Sequence, residues 1–114
     1  MDPETRNPED AKLVVLARAT RARTAAAQGA ALRDLDGRTY AGATVTLPSL
    51  QVSALGVCIA MAVASGSTGA EAAVVLGPEP LSPADLAALR EFAGVGVPIH
   101  CGTPAGVVEI VVST

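Results

Sequence analysis

Aromatic side chains are almost missing from this chain: Tyr40 and Phe92 are the only two, and there is no Trp. Single-stranded nucleic acids and RNA are held largely by bases stacked on aromatic faces, so that mode of binding has almost nothing to work with. Histidine is as scarce, His100 alone, and the cysteines are two, Cys58 and Cys101. Two thiols do not make the disulfide framework of a small secreted domain, and the expectation is a reduced, cytoplasmic chain. The opening MDPETRNPED places Pro and acid where a secretion signal needs a basic start and an apolar run, so no signal is expected. Charge is missing altogether between Arg38 and Glu71. The apolar run inside that stretch, Val52 to Ala64, is about 13 residues against the ~20 that span a bilayer. It reads as a buried helix, with no membrane partner.

What is present is aliphatic. Of 114 residues, 50% are hydrophobic and 17% charged, enough for one domain with a modest core of Ala, Val, Leu and Ile. Residues 1–7 read as a disordered leader and 8–114 as the single domain. A net charge of -3 argues against a nucleic-acid partner, since that binding rests on neutralising phosphates. Arg18, Arg21, Arg23, Arg33 and Arg38 all fall in the first third of the chain, mixed with acids, whereas Arg90 is the one base beyond residue 38. A surface this short of charge is expected to be covered in part by copies of itself.

Pro8, Glu9 and Asp10 open a helix, because Pro suits the first turn and acids favour the positive helix end. Leu13, Leu16, Ala17 and Thr20 give it one apolar face out to about Ala27. Gly29–Arg33 and Thr39–Val45 read as a hairpin, with Asp36-Gly37 supplying the tight turn. Residues 49–65 read as a second helix, apolar all round and rich in small side chains, which fits a helix packed on more than one side. This helix is the expected contact of a homo-oligomer, a dimer or tetramer. Ala70–Gly77 is a near-continuous apolar strand, as expected for a central strand covered on both faces. Ser82, with Asp85 three residues on, starts a third helix running to Gly94. Val97–Cys101 and Val107–Val112 are two further strands whose short connection requires them to be antiparallel.

The order α-β-β-α-β-α-β-β, the Gly29-Ala30-Ala31-Leu32 strand, the Asp36-Gly37 hairpin and the central helix ending in Ala62-Val63-Ala64-Ser65-Gly66 together resemble the small free-nucleoside cytidine deaminases, over about residues 10 to 112. The resemblance implies a three-layer α/β fold: a five-stranded mixed sheet with helices on both faces. It also implies an oligomer and a zinc-activated water attacking the cytosine ring, with three His or Cys ligands and a Glu that moves protons. Matched to this sequence, the first ligand falls on Ser53 and the Glu on Leu55. Ser82-Pro83-Ala84-Asp85-Leu86-Ala87 stands where the family has Ser-Pro-Cys-x-x-Cys, so the other two ligands fall on Ala84 and Ala87. The residues that hold the ribose correspond to Thr44 and Thr46. None of these supplies a metal donor of the usual kind or a proton carrier, so zinc is the family's cofactor but its ligands are absent.

The remaining soft ligands do not rebuild the site. Zinc needs three or four donors at ~2.0–2.3 Å, yet Cys58 sits in the apolar helix, while His100 and Cys101 are strand neighbours that point to opposite faces. Gly94-Val95-Gly96 follows a helix and so is not a phosphate-binding loop. Arg18, Arg21 and Arg23 form a candidate basic patch, set against the plainer reading of a solvated helix end. The expectation is therefore a non-catalytic, degenerate member of that fold serving as an oligomeric binding or regulatory module. The alternatives are an active zinc-dependent cytidine deaminase whose site is unrecognised, and a nucleoside- or RNA-binding protein without turnover.

Overall fold

In the computed structural model, which describes residues 7–114, the chain begins with helix α1 (Pro8–Thr24). Asn7 caps it by accepting the Glu9 N–H at 2.9 Å, and Glu9 and Asp10 occupy its first turn. Of the expected leader, residues 1–6 lie outside the described residues. Asp10, Leu13, Ala17 and Thr20 are the buried stripe. The helix stops short of Ala27 because Ala25 turns left-handed, at φ 52°.

Strands β1 (Gly29–Asp34) and β2 (Thr39–Ala43) form the expected hairpin. The next residues depart from the reading above. Val45–Leu47 and Leu50–Val52 pair as strands β3 and β4 around Pro48-Ser49, so helix α2 runs Ala54–Ala64 and not 49–65. The physical reason lies in the side chains. Apolar Val45 and Leu47 flank polar Thr46 in strand alternation, Pro48 interrupts, and Ser53 caps the helix by accepting the Gly56 N–H at 3.0 Å, a role for which Ser is favoured. Strand β5 (Ala70–Leu76), helix α3 (Pro83–Ala93) and strands β6 (Pro98–Gly102) and β7 (Val108–Ser113) complete the order.

The main sheet has the order β2-β1-β5-β6-β7. β5 and β6 are parallel, joined by the α3 crossover, and all other neighbours are antiparallel, including β6 with β7. This is the five-stranded mixed sheet that the sequence predicts. β1 and β5 are interior strands of the sheet, which is why they are buried almost throughout, with apolar stretches at Ala30–Leu32 and Ala72–Leu76.

Two cores follow from the strand alternation. Ala31, Ala72, Val74 and Leu76 face α1, meeting Leu13 and Ala17. Ala30, Leu32, Ala73, Val75 and Ile99 face the other way and meet Leu55, Cys58, Ala62 and Leu89 of α2 and α3. α1 is also tied down by charge. Arg33 Nη2 lies 2.9 Å from Asp10 Oδ1 and its Nε 2.9 Å from Glu71 Oε2. His100, buried on the same face, brings Nε2 to 3.3 Å from Asp10 Oδ2.

Candidate functional site

The starts of α2 and α3 meet at one end of the second core, and three side chains are joined there. Ser53 Oγ accepts the Gly56 N–H at 3.0 Å and donates to Asp85 Oδ1 at 2.6 Å. The Asp85 N–H donates to Ser82 Oγ at 3.1 Å, the capping contact that the Ser82-x-x-Asp85 spacing predicts. Asp85 is 6% exposed. A buried carboxylate requires donors, and Ser53 supplies one from the neighbouring helix. β2 lets α2 come down onto it at Gly42, where a Cβ would stand 2.9 Å from the Ala54 carbonyl and 3.0 Å from the Val57 side chain.

The other positions singled out from the sequence lie elsewhere. Leu55 is fully buried in the second core. Ala84 and Ala87 lie on the exposed side of α3 and, with Ile59, Val63 and Phe92, line an open groove of about 570 Å³. Ser53 is not among the residues lining that groove. Thr44 is committed to the backbone of Gln28, whose N–H it accepts at 2.9 Å, and Thr46 is exposed on the β3–β4 hairpin. The side chain that the spacing argument missed is Asp85; its visible signal was the capping pattern alone, and its bond to Ser53 crosses 32 positions of sequence.

The three arginines lie along the C-terminal half of α1. Arg21 Nε donates to the Ala27 carbonyl at 3.3 Å, the Arg18 stem lies against Gly106, and Arg23 is exposed in the last turn. Arg33 is turned inward to Asp10 and Glu71. This is the helix-end arrangement in which cations offset the negative pole.

The donor set at the helix starts is two hydroxyls and one carboxylate, which does not fit zinc. Zinc sites are built from thiolate, imidazole and carboxylate; here the Asp85 carboxylate accepts from Ser53 Oγ, and Ser82 Oγ is engaged by the Asp85 backbone N–H. The soft donors are dispersed. Cys58 Sγ donates to the Tyr40 carbonyl at 3.5 Å, and burial pushes its thiol up to about 12, far from the thiolate that binds metal. Burial also raises the Cys101 thiol, in the same core, while His100 is across the sheet beside Asp10. Among the described residues, no three His, Cys, Asp or Glu side chains are grouped to hold a metal ion.

Comparison with solved structures finds this fold in cytidine deaminases. The enzyme from Burkholderia pseudomallei superposes with TM-score 0.75 at 22% identity, covering 90% of this chain and 89% of that one. The one from Mycobacterium leprae gives 0.69 at 24%, covering 90% of each, and that from Mycobacterium tuberculosis 0.68 at 21%, covering 77% and 80%. No curated protein matches. A family model for cytidine deaminase-like domains matches residues 6–106. With that match spanning most of the sequence, and with the sheet order and helix placement in accord, the chain belongs to the cytidine deaminase-like family.

Proposed function

We propose that this protein is a non-catalytic member of its family, a cytoplasmic module that binds or regulates through assembly with copies of itself. The observation that carries the reading is the Ser53–Asp85 hydrogen bond. At the two helix starts, where the family resemblance would put a metal and a proton-shuttling Glu, side chains are paired with each other, and Leu55 is sealed in the core. A buried leucine moves no proton, and a serine hydroxyl remains protonated at neutral pH and is a poor zinc donor. The assembling surface is α2, which carries no charged side chain although Ala60, Val63 and Ala64 are exposed. A helix apolar on all sides is normally covered. Among the described residues, no helix is long and apolar enough to cross a membrane.

The test uses the full chain. Elemental analysis after purification in zinc-supplemented medium is expected to find far less than one zinc per chain. Ultraviolet absorbance is expected to show no loss of cytidine, with or without added zinc. Stoichiometric zinc, or turnover that a chelator abolishes, overturns the reading in favour of an active cytidine deaminase.

A further inference from the structure

β6 and β7 fall out of step where they leave the sheet: Cys101 pairs with Ile110, but Gly102 pairs with Val108. Glu109 is therefore the extra residue of a β-bulge, a device that re-aims side chains. Regular alternation would put Glu109 and Ile110 on opposite faces; here both line one cavity. The bulge requires glycine opposite it, because a Cβ on Gly102 would collide with the Val107 carbonyl oxygen.

That cavity, about 400 Å³, is within the size range of small-molecule pockets. It lies beyond the carboxyl ends of the parallel strands β5 and β6, where open α/β sheets place their ligands. Leu81, Cys101, Ile110 and Val112 give it apolar walls, and Glu79 joins them from the loop between β5 and α3. Glu79 stands between Pro78 and Pro80. Proline fixes its own φ and restricts the residue before it, so this stretch is ordered in advance of binding. Ser53 and Asp85 do not line the cavity, which is separate from the pair at the helix starts.

The charge around the cavity has one sign. No Lys, Arg or His lines it, and among the described residues neither Glu79 nor Glu109 has an ion pair. Arg90, the one base beyond residue 38, is in the last turn of α3, at the end of the helix away from Leu81. A metal ion does not fit, since among the described residues no three His, Cys, Asp or Glu side chains are grouped to hold one. The complement of two carboxylates over apolar walls is a cation with an apolar body of its own.

We infer that the cavity between the β5–α3 loop and the β7 bulge binds a small organic cation, its ammonium group facing Glu79 and Glu109 and its apolar body against Leu81, Ile110 and Val112. This goes beyond the role proposed above and does not depend on assembly.

Cys101 provides the test, with its modification on the full chain located by mass spectrometry. Methanethiosulfonates carrying trimethylammonium or sulfonate meet the same thiol, so its raised pKa cancels from the ratio of their rates, each rate first divided by that with free 2-mercaptoethanol. The cationic reagent is expected to be favoured at least ~10-fold, the scale set by two unit charges a few ångströms away, and less so in ~1 M salt. Glu79→Gln/Glu109→Gln, both at exposed positions and checked for native circular dichroism, is expected to bring the ratio near one. Phenethylammonium at ~10 mM, a concentration suited to a ligand this small, is expected to slow labelling by uncharged methyl methanethiosulfonate several-fold in the wild type and not in the double variant. Phenethyl alcohol and 3-phenylpropanoate are expected to give no protection. Equal rates for the two charged reagents, a preference that survives the double variant, no protection by phenethylammonium, or equal protection by the alcohol each overturns the proposal. A Cys101 that none of the reagents reaches overturns it too, because the cavity is then closed. None of these results affects the zinc and cytidine measurements.

Discussion

Ser53 both caps α2 and donates to a carboxylate on α3. Removing its hydroxyl therefore has two costs: a lost cap, ~1 kcal/mol, and a buried Asp85 short of a donor, a further ~1–3 kcal/mol. Ser53→Ala is expected to lower the stability measured by urea unfolding by about the sum. Ser53→Ala/Asp85→Ala is expected to cost clearly less than the two single changes added together, because the second removes the group that the first leaves unpaired. Asp34 offers a different test. It accepts from Ser67, from the Arg38 and Asp36 N–H groups and from Tyr40, and these donors, Ser67 foremost, hold its carboxyl below the usual carboxylate range against the opposing effect of burial. A depressed carboxylate adds stability above its unfolded pKa and loses it as the pH falls through the folded value. The stability of the wild type is thus expected to drop on acidification below about pH 4, and Asp34→Asn is expected to be less stable at neutral pH and to show a shallower acid decline in urea midpoints.

Elements differ in how far they could be read in advance. β5 was legible because its covered stretch Ala72–Leu76 is apolar on both faces, and the β1–β2 turn because Asp36-Gly37 suits a tight reversal; Gly37 has φ 83°. The β3–β4 hairpin was not, since its strands are three residues long and adjoin a helix with the same uncharged composition. Short apolar runs carry no usable period. At the site, the reading put Ser53 a turn inside a helix beginning at 49, whereas it caps α2; which α3 residues face it depends on helix rotation, and that is set by burying Leu89 and Asp85 while Ala84 and Ala87 turn outward. Close approach sets the position of α1 too. A Cβ on Gly29 would collide with the Ala17 carbonyl and the Arg21 Cβ, so Gly29→Ala is expected to push α1 off the sheet and cost ~1–3 kcal/mol in thermal or urea unfolding.

At the scale of the whole molecule, one sheet separates two cores that are held differently. On one side α1 is fastened by ions as well as by packing: burial works against the Arg33 charge, but the hydrogen bonds and charges of Glu71 and Asp10 outweigh it and raise its pKa. Such a cluster fixes geometry more than it adds stability. On the other side α2 and α3 are joined by packing and by one hydrogen-bonded pair of side chains. That second side also contains both sulfhydryls of the protein: Cys58, fully buried, and Cys101, which borders an open cavity beside Gly77 and Gly102. An alkylating reagent reaches Cys58 only when the interior opens, so the pace of its modification counts openings of the native state, a built-in clock that needs no added probe.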